Sequence, residues 1–296
     1  MGPEMGGKRT GCGQTFSPKP QHHRQGVEAG PQTPRHAARR AGHQSRPLGE
    51  LIVKLAELTW PDLEQVSRDT VVVYPIAAFE QHGPHLPFIT DTAEVAAIVD
   101  HLDAEIPDQV LCLPAQWLGY SPHHLRFKGT ITAQSETHIN MIVDTVSSMV
   151  HADFDKILIV NGHGGNVPNM NVSLQRLMEK CPDARIYGTS WFAYDELGEI
   201  REAGPHGWGH AGEMETSLMM ALHPEWVKAD RLQKDGHPPQ SERAGQVSRY
   251  RWIHQSTDQG TYGDPTYGSA EKGERFISAA VEVLVRIVED IRKGHL

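Results

Sequence analysis

The 296-residue chain has few cysteines, no long apolar run and, beyond its first 48 residues, fewer positive than negative charges. Its three cysteines, Cys12, Cys112 and Cys181, cannot pair evenly and form no C-x-x-C spacing. That excludes a disulfide framework and argues against cysteine metal ligands. It predicts a reducing compartment, the cytoplasm. No segment approaches the roughly 18–20 consecutive apolar residues of a membrane span. The N-terminus lacks the apolar stretch of a signal peptide. A soluble protein with no membrane partner is expected.

The net charge of −9 is unevenly spread. Residues 1–48 carry eight Lys/Arg against Glu4 and Glu28, a balance of +6, which leaves −15 on the rest. A body that acidic is a poor binder of nucleic acid, so no nucleic-acid partner is expected. The basic arm is rich in Gly, Pro, Gln and His and nearly free of aliphatic residues. Such a composition buries too little surface to order itself. Residues 1–47 are therefore expected to be a disordered arm, and 48–296 the functional domain, long enough to hold a core without disulfides.

Within that domain, four short apolar runs read as strands: Thr70–Ile76, Val110–Pro114, Lys156–Asn161 and Arg185–Ser190. Helical apolar spacing recurs between and after them, over Thr92–Leu102, Ser135–Val150, Asn166–Met178, Thr216–Leu222 and Lys272–Ile291. Alternation of this kind predicts an α/β fold, a mainly parallel sheet covered on both faces. Residues 231–268, rich in Gly, Pro, Gln and Ser, read as a long loop.

The chemistry-bearing residues cluster where these strands end. Glu80-Gln81-His82-Gly83-Pro84-His85 follows the first strand, with Asp91 at the start of the next helix. Residues two apart on a strand point the same way, so Glu80 and His82 are expected to share one space. Asn161-Gly162-His163-Gly164-Gly165-Asn166 follows the third strand, with Asn166 placed to cap the following helix. A third cluster, His206 to Ser217, holds Trp208, His210, Glu213 and Glu215 in a Gly-rich path into a helix. The loop Gly119–Thr130 adds His123 and His124. Carboxylate and imidazole together suit Zn, Mn or Fe.

Each cluster alone has a plainer account. Asp91 reads as a helix cap, and Asn161–Asn166 as a turn lacking the Lys-Ser/Thr of a phosphate loop. Glu213 and Glu215 read as carboxylates favouring the positive end of a helix. Trp117, Trp191 and Trp208 read first as packing. The metal reading prevails because the clusters recur after separate strands, on the edge of a parallel sheet where ligands bind.

Four motifs together resemble the creatininase (creatinine amidohydrolase) family: Glu80–His85 with Asp91, Gly119–His124 with Gly129-Thr130, Asn161–Asn166, and His210–Ser217. The resemblance runs from about Leu48 to the C-terminus. It implies a three-layer α/β/α sandwich, two divalent metal ions per chain, and a homo-oligomer, often a hexamer. It implies that Glu80, Asp91 and His163 hold one ion, and that His82 and a bridging Asp91 hold the other. Creatinine-hydrolysing members carry Tyr-Glu where this chain has Gly164-Gly165, and that Glu is a ligand. Glu213, ahead of Glu215, is the expected replacement. Relatives with the Gly-Gly form include deformylases of pyrimidine intermediates, peptide-trimming enzymes and a keto-inositol hydrolase.

The expected function is hydrolysis of an amide C–N bond in a small molecule by metal-activated water. His210 is the candidate proton carrier to the leaving nitrogen. His124, Trp191 and Trp208 are the candidate substrate contacts. Two alternatives stay open at this point: hydrolytic C–C ring opening of a keto-inositol or similar diketone, and a non-catalytic metal-bound scaffold.

Overall fold

Every residue of Val71–Ile76 is buried, because each face of this strand meets its own hydrophobic core. Val71 and Val73 point into one core, Val72, Tyr74 and Ile76 into the other. The computed structural model describes residues 54–204, 209–236 and 249–296. The expected arm at 1–47, and with it His206 and Trp208, lies outside the described residues.

A one-turn helix, α1 (Trp60–Leu63), precedes β1 (Val71–Ile76), α2 (Thr90–Glu105) and β2 (Val110–Cys112). They are followed by α3 (Ser135–His151), β3 (Lys156–Asn161), α4 (Val167–Lys180) and β4 (Arg185–Ser190). Then come α5 (Glu213–Leu222) and α6 (Ala270–Lys293). The four strands form one parallel sheet in the order β2-β1-β3-β4. Helices α2, α5 and α6 pack on one face, α3 and α4 on the other, which is the expected α/β layering. No described helix is long and apolar enough to cross a membrane.

The expected elements hold to within a few residues. β2 is shorter than its apolar run: Leu113 still donates to the Val73 carbonyl, but the next β1 residue facing it, Pro75, has no N–H to return to Leu113. α2 begins at Thr90, so Asp91 lies inside its first turn and does not cap it. Asn166 occupies the cap position of α4, yet its side chain makes no cap bond. It accepts from Tyr120 N at 2.9 Å and donates to the Ala77 carbonyl at 3.0 Å. It thereby ties together the loops that follow β1, β2 and β3.

The longest helix, α6, is capped by the Ser269 hydroxyl, which accepts from Lys272 N, and closes at Gly294 with φ 70°. It crosses α5 at Gly273, where a Cβ would press on the backbone of Ser217 and approach Ala221 Cβ to 2.8 Å. Only glycine permits that approach.

The sheet order places a topological switch at β1 and β3. The chain leaves β1 toward β2, then returns to β3 on the other side. Ligands sit beyond the carboxyl ends of strands at such a point. Ile76 pairs with Asn161 there, so the loops carrying Glu80 and His163 emerge side by side.

Candidate metal centre

Strand geometry is not what brings Glu80 and His82 together, since β1 ends four residues earlier. The loop itself does. His82 makes bridges to Pro84 and Leu86. Its Nδ1–H donates to the Glu80 carbonyl at 3.0 Å. That bond fixes the tautomer and leaves Nε2 facing Asp91 Oδ1 at 3.0 Å. The same Nε2 lies 3.9 Å from Glu215 Oε2. Asp91 turns its other oxygen, Oδ2, to His163 Nδ1 at 3.1 Å. One carboxylate thus spans two imidazoles. Glu80 Oε2 stands 3.2 Å from His163 Nε2, and Oε1 lies 3.2 Å from His124 Nε2 and 3.4 Å from His210 Nδ1.

The structure moves two of the expected residues. Glu213 does not reach this cluster. It opens α5 with its carboxylate turned away, accepting from Lys272 Nζ at 2.7 Å and from the backbone N–H groups of Glu202 and Ala203. Lys272 is itself nearly buried and needs a counter-charge, so Glu213 is committed to it. Residues two apart on a helix differ by about 200° in direction. Only one of the two carboxylates can therefore face the site, and it is Glu215, whose Oε2 also accepts from Ala211 N. Trp191, only 1% exposed, belongs to the core on the α2/α6 face and cannot contact a substrate. Phe192 lines the cavity in its place.

His124 lines the cavity but is almost wholly buried, tied into the cluster behind it. The Gln81 amide oxygen accepts from Gly83 N, which orients the amide so that Nε2 donates to His124 Nδ1 at 2.8 Å. The His124 proton is then on Nε2, the nitrogen 3.2 Å from Glu80 Oε1, though not aligned on it. His210 Nε2 donates to the Gln81 carbonyl at 2.6 Å, so its bare Nδ1 faces Glu80 Oε1. Two acceptors facing one another call for a proton or a cation between them. His123, quoted in its motif but given no role there, and Met214 and Tyr262, which no motif marks, also line the site.

The electrostatics point the same way. Burial pushes Glu80 up to about 7, against the pull of His163, and pushes Glu215 up to about 7, against His82. Burial pulls His82 and His163 down, but the carboxylates outweigh it, lifting His82 to about 10 and His163 to about 9. Burial acts to raise Asp91, yet those two imidazoles hold it below the usual carboxylate range. Burial keeps His210 and His124 neutral, well below the usual imidazole value. Protons on His82 and His163 thus balance Asp91 where divalent cations would do so. Both oxygens of Glu80 and Oδ2 of Asp91 are buried with no aligned hydrogen-bond donor, which is the state of a ligand awaiting a metal. Four overlapping groups of three ligand-type side chains come together here, drawn from Glu80, His82, Asp91, His123, His124, His163, His210 and Glu215.

This cluster forms the floor of a cavity of about 400 Å³. A second cavity of about 480 Å³ adjoins it across His123, Gly164 and Gly165, walled by Tyr250, Arg251 and Trp252. A larger groove of about 750 Å³ runs between α2, α5 and α6, but it brings together no ligand group among the described residues. The smaller, chemically convergent cavity is therefore the site.

Known proteins resemble this chain in sequence and in fold. The sequence profile described as "Creatininase: Creatinine amidohydrolase" matches residues 56–288. A "Mycofactocin precursor peptide peptidase" of Mycobacterium tuberculosis is 31% identical over 230 residues, covering 73% of this chain and 84% of the relative. A "3-dehydro-scyllo-inosose hydrolase" of Thermotoga maritima is 25% identical over 253 residues, covering 77% and 79%. The solved structure "Creatininase Mn" superposes with a TM-score of 0.67 at 26% identity, covering 82% of this chain and 98% of that one. The fold, the cluster at the β1/β3 switch and these likenesses place the chain in the creatininase family of hydrolases.

Proposed function

We propose that the protein hydrolyses an amide C–N bond at a centre of two divalent cations bridged by Asp91. The observation that carries this reading is the splayed carboxylate of Asp91, with His82 on Oδ1 and His163 on Oδ2. Glu80 and His163 would serve one cation, His82 and Glu215 the other. Zn, Mn or Fe suits such a donor set. When bound, the pair would lower the pKa of a water and polarise the substrate carbonyl.

The chain's own groups do the rest. His210 is held in one tautomer by Gln81, so its free Nδ1 can take a proton and pass it to the departing nitrogen. His124 keeps Glu80 in place. Phe192, Met214 and Tyr262 present apolar surface to the cavity and limit the approach of water. The adjoining cavity gives a second compartment with aromatic walls and the Arg251 guanidinium. It supports a substrate longer than a single small ring, and a short peptide is the class we favour.

Metal-loaded protein should be assayed against short peptides, N-formyl amines, creatinine and keto-inositols. Turnover of peptides or formamides, with little of creatinine, is expected. Turnover of a keto-inositol alone would replace the C–N reading with C–C cleavage. Tight metal binding with no turnover of any class would favour the non-catalytic scaffold.

A further inference from the structure

The His82 side of the centre has Asp91 Oδ1 and Glu215 within reach. The His163 side has Asp91 Oδ2 and Glu80, but the next two residues of its loop, Gly164 and Gly165, carry no donor. His123 stands over that gap. It shares a ligand group with Glu80 and His163, in which one ligand atom from each lies within 4.8 Å of the others. Its ring lies nearly parallel to that of His163, 5.8 Å away and tilted by 17°.

Gly165 makes this arrangement available. A Cβ there would approach His123 Cε1 to 2.9 Å and would press on His163 Nε2 and the Tyr120 carbonyl. A side chain at 165 and the His123 ring therefore compete for one space. The bare backbone at 165 and the inward reach of His123 are two aspects of a single feature.

We propose that His123 is a ligand to the cation on the Glu80–His163 side. The inference rests on the two-cation reading above but goes beyond it. It sits on the turn Pro122–His124, whose position is set by Ser121 N donating to Thr132 Oγ1 at 2.7 Å. Its place between the two cavities also makes it the group past which a substrate must reach.

The test uses the full chain and the metals themselves. Wild type, His123→Ala, His123→Gln and His123→Glu would be stripped and titrated with Zn²⁺ against a competing chelator. The visible spectrum of the Co²⁺ forms would be recorded in parallel, and circular dichroism would establish folding. Wild type should bind two ions per chain. His123→Ala and His123→Gln should keep one and weaken the other by at least about tenfold, with a changed Co²⁺ spectrum. His123→Glu, which returns an anionic donor, should hold two. Two ions bound with wild-type affinity and an unaltered spectrum in folded His123→Ala and His123→Gln would overturn the proposal and leave His123 as a wall. Failure of wild type to bind any ion would overturn the two-cation reading itself.

Discussion

Glu213 and Glu215 lie two residues apart in one motif, and the structure assigns them opposite duties. Exchanging each for Gln separates those duties. Glu213 forms a buried pair with Lys272 at 2.7 Å, the two side chains being 1% and 10% exposed. Breaking a buried pair by removing one partner costs about 3–5 kcal/mol. Lys272 keeps Glu202 at 2.9 Å and the Tyr267 carbonyl at 2.6 Å, which retain part of that interaction. We therefore expect Glu213→Gln to cost about 2–3 kcal/mol, a fall in Tm of roughly 4–12 °C for a domain of this size. Its metal affinity should stay near wild type. Glu215→Gln should behave in the opposite way. Burial already pushes Glu215 up to about 7, so a neutral isostere is readily held in the metal-free fold. Loss of an anionic donor should weaken one cation by roughly 100-fold or more. Calorimetric melting of the metal-free variants and metal titration of each would decide it. If Glu213→Gln lost a cation without losing stability, the assignment argued from α5 would be wrong.

Three further outcomes are expected. Above about pH 7, where the buried imidazoles of His210 and His124 are neutral in both the folded and unfolded states, metal-free protein should lose stability as pH rises. Glu80 and Glu215 are raised to about 7, so their contribution is complete below about 4.5 and is lost as pH passes 7; that of His82 and His163 is complete below about 6.5 and is lost through 9 to 10. A divalent cation should reverse this trend, since it binds the deprotonated groups; melting curves between pH 7 and 10, with and without Zn²⁺, would show a flat profile in both if the reasoning fails. His210→Asn should lower kcat by about 10²–10⁴ while both cations remain bound, and loss of a cation in that variant would make His210 a ligand instead of a proton carrier. Removal of residues 1–47, whose composition offers no core, should leave Tm and metal content within error of the full chain; a large drop in Tm would show that the arm packs on the domain.

The sequence by itself determined the layers of this protein and the neighbourhood of its site. Apolar runs of strand length, alternating with helical spacing, are local signals, and β1, β3, β4 and the five longer helices begin and end close to where those signals do. The motifs that follow β1 and β3 meet because parallel strands place their carboxyl ends on one edge, which the alternation already implied. What the tertiary structure decided is where the side chains within those motifs point. Glu213 turns from the site because a lysine 59 residues away, on α6, claims it. Trp191 turns inward because its strand ends over the α2/α6 core. His124 becomes the support of Glu80 because Gln81, 43 residues away, sets its tautomer. His123 reaches the cluster because a glycine on another loop leaves room. Such partners are distant in sequence and carry no period or spacing, so direction is fixed only when the packed chain brings charge against charge and ring against backbone.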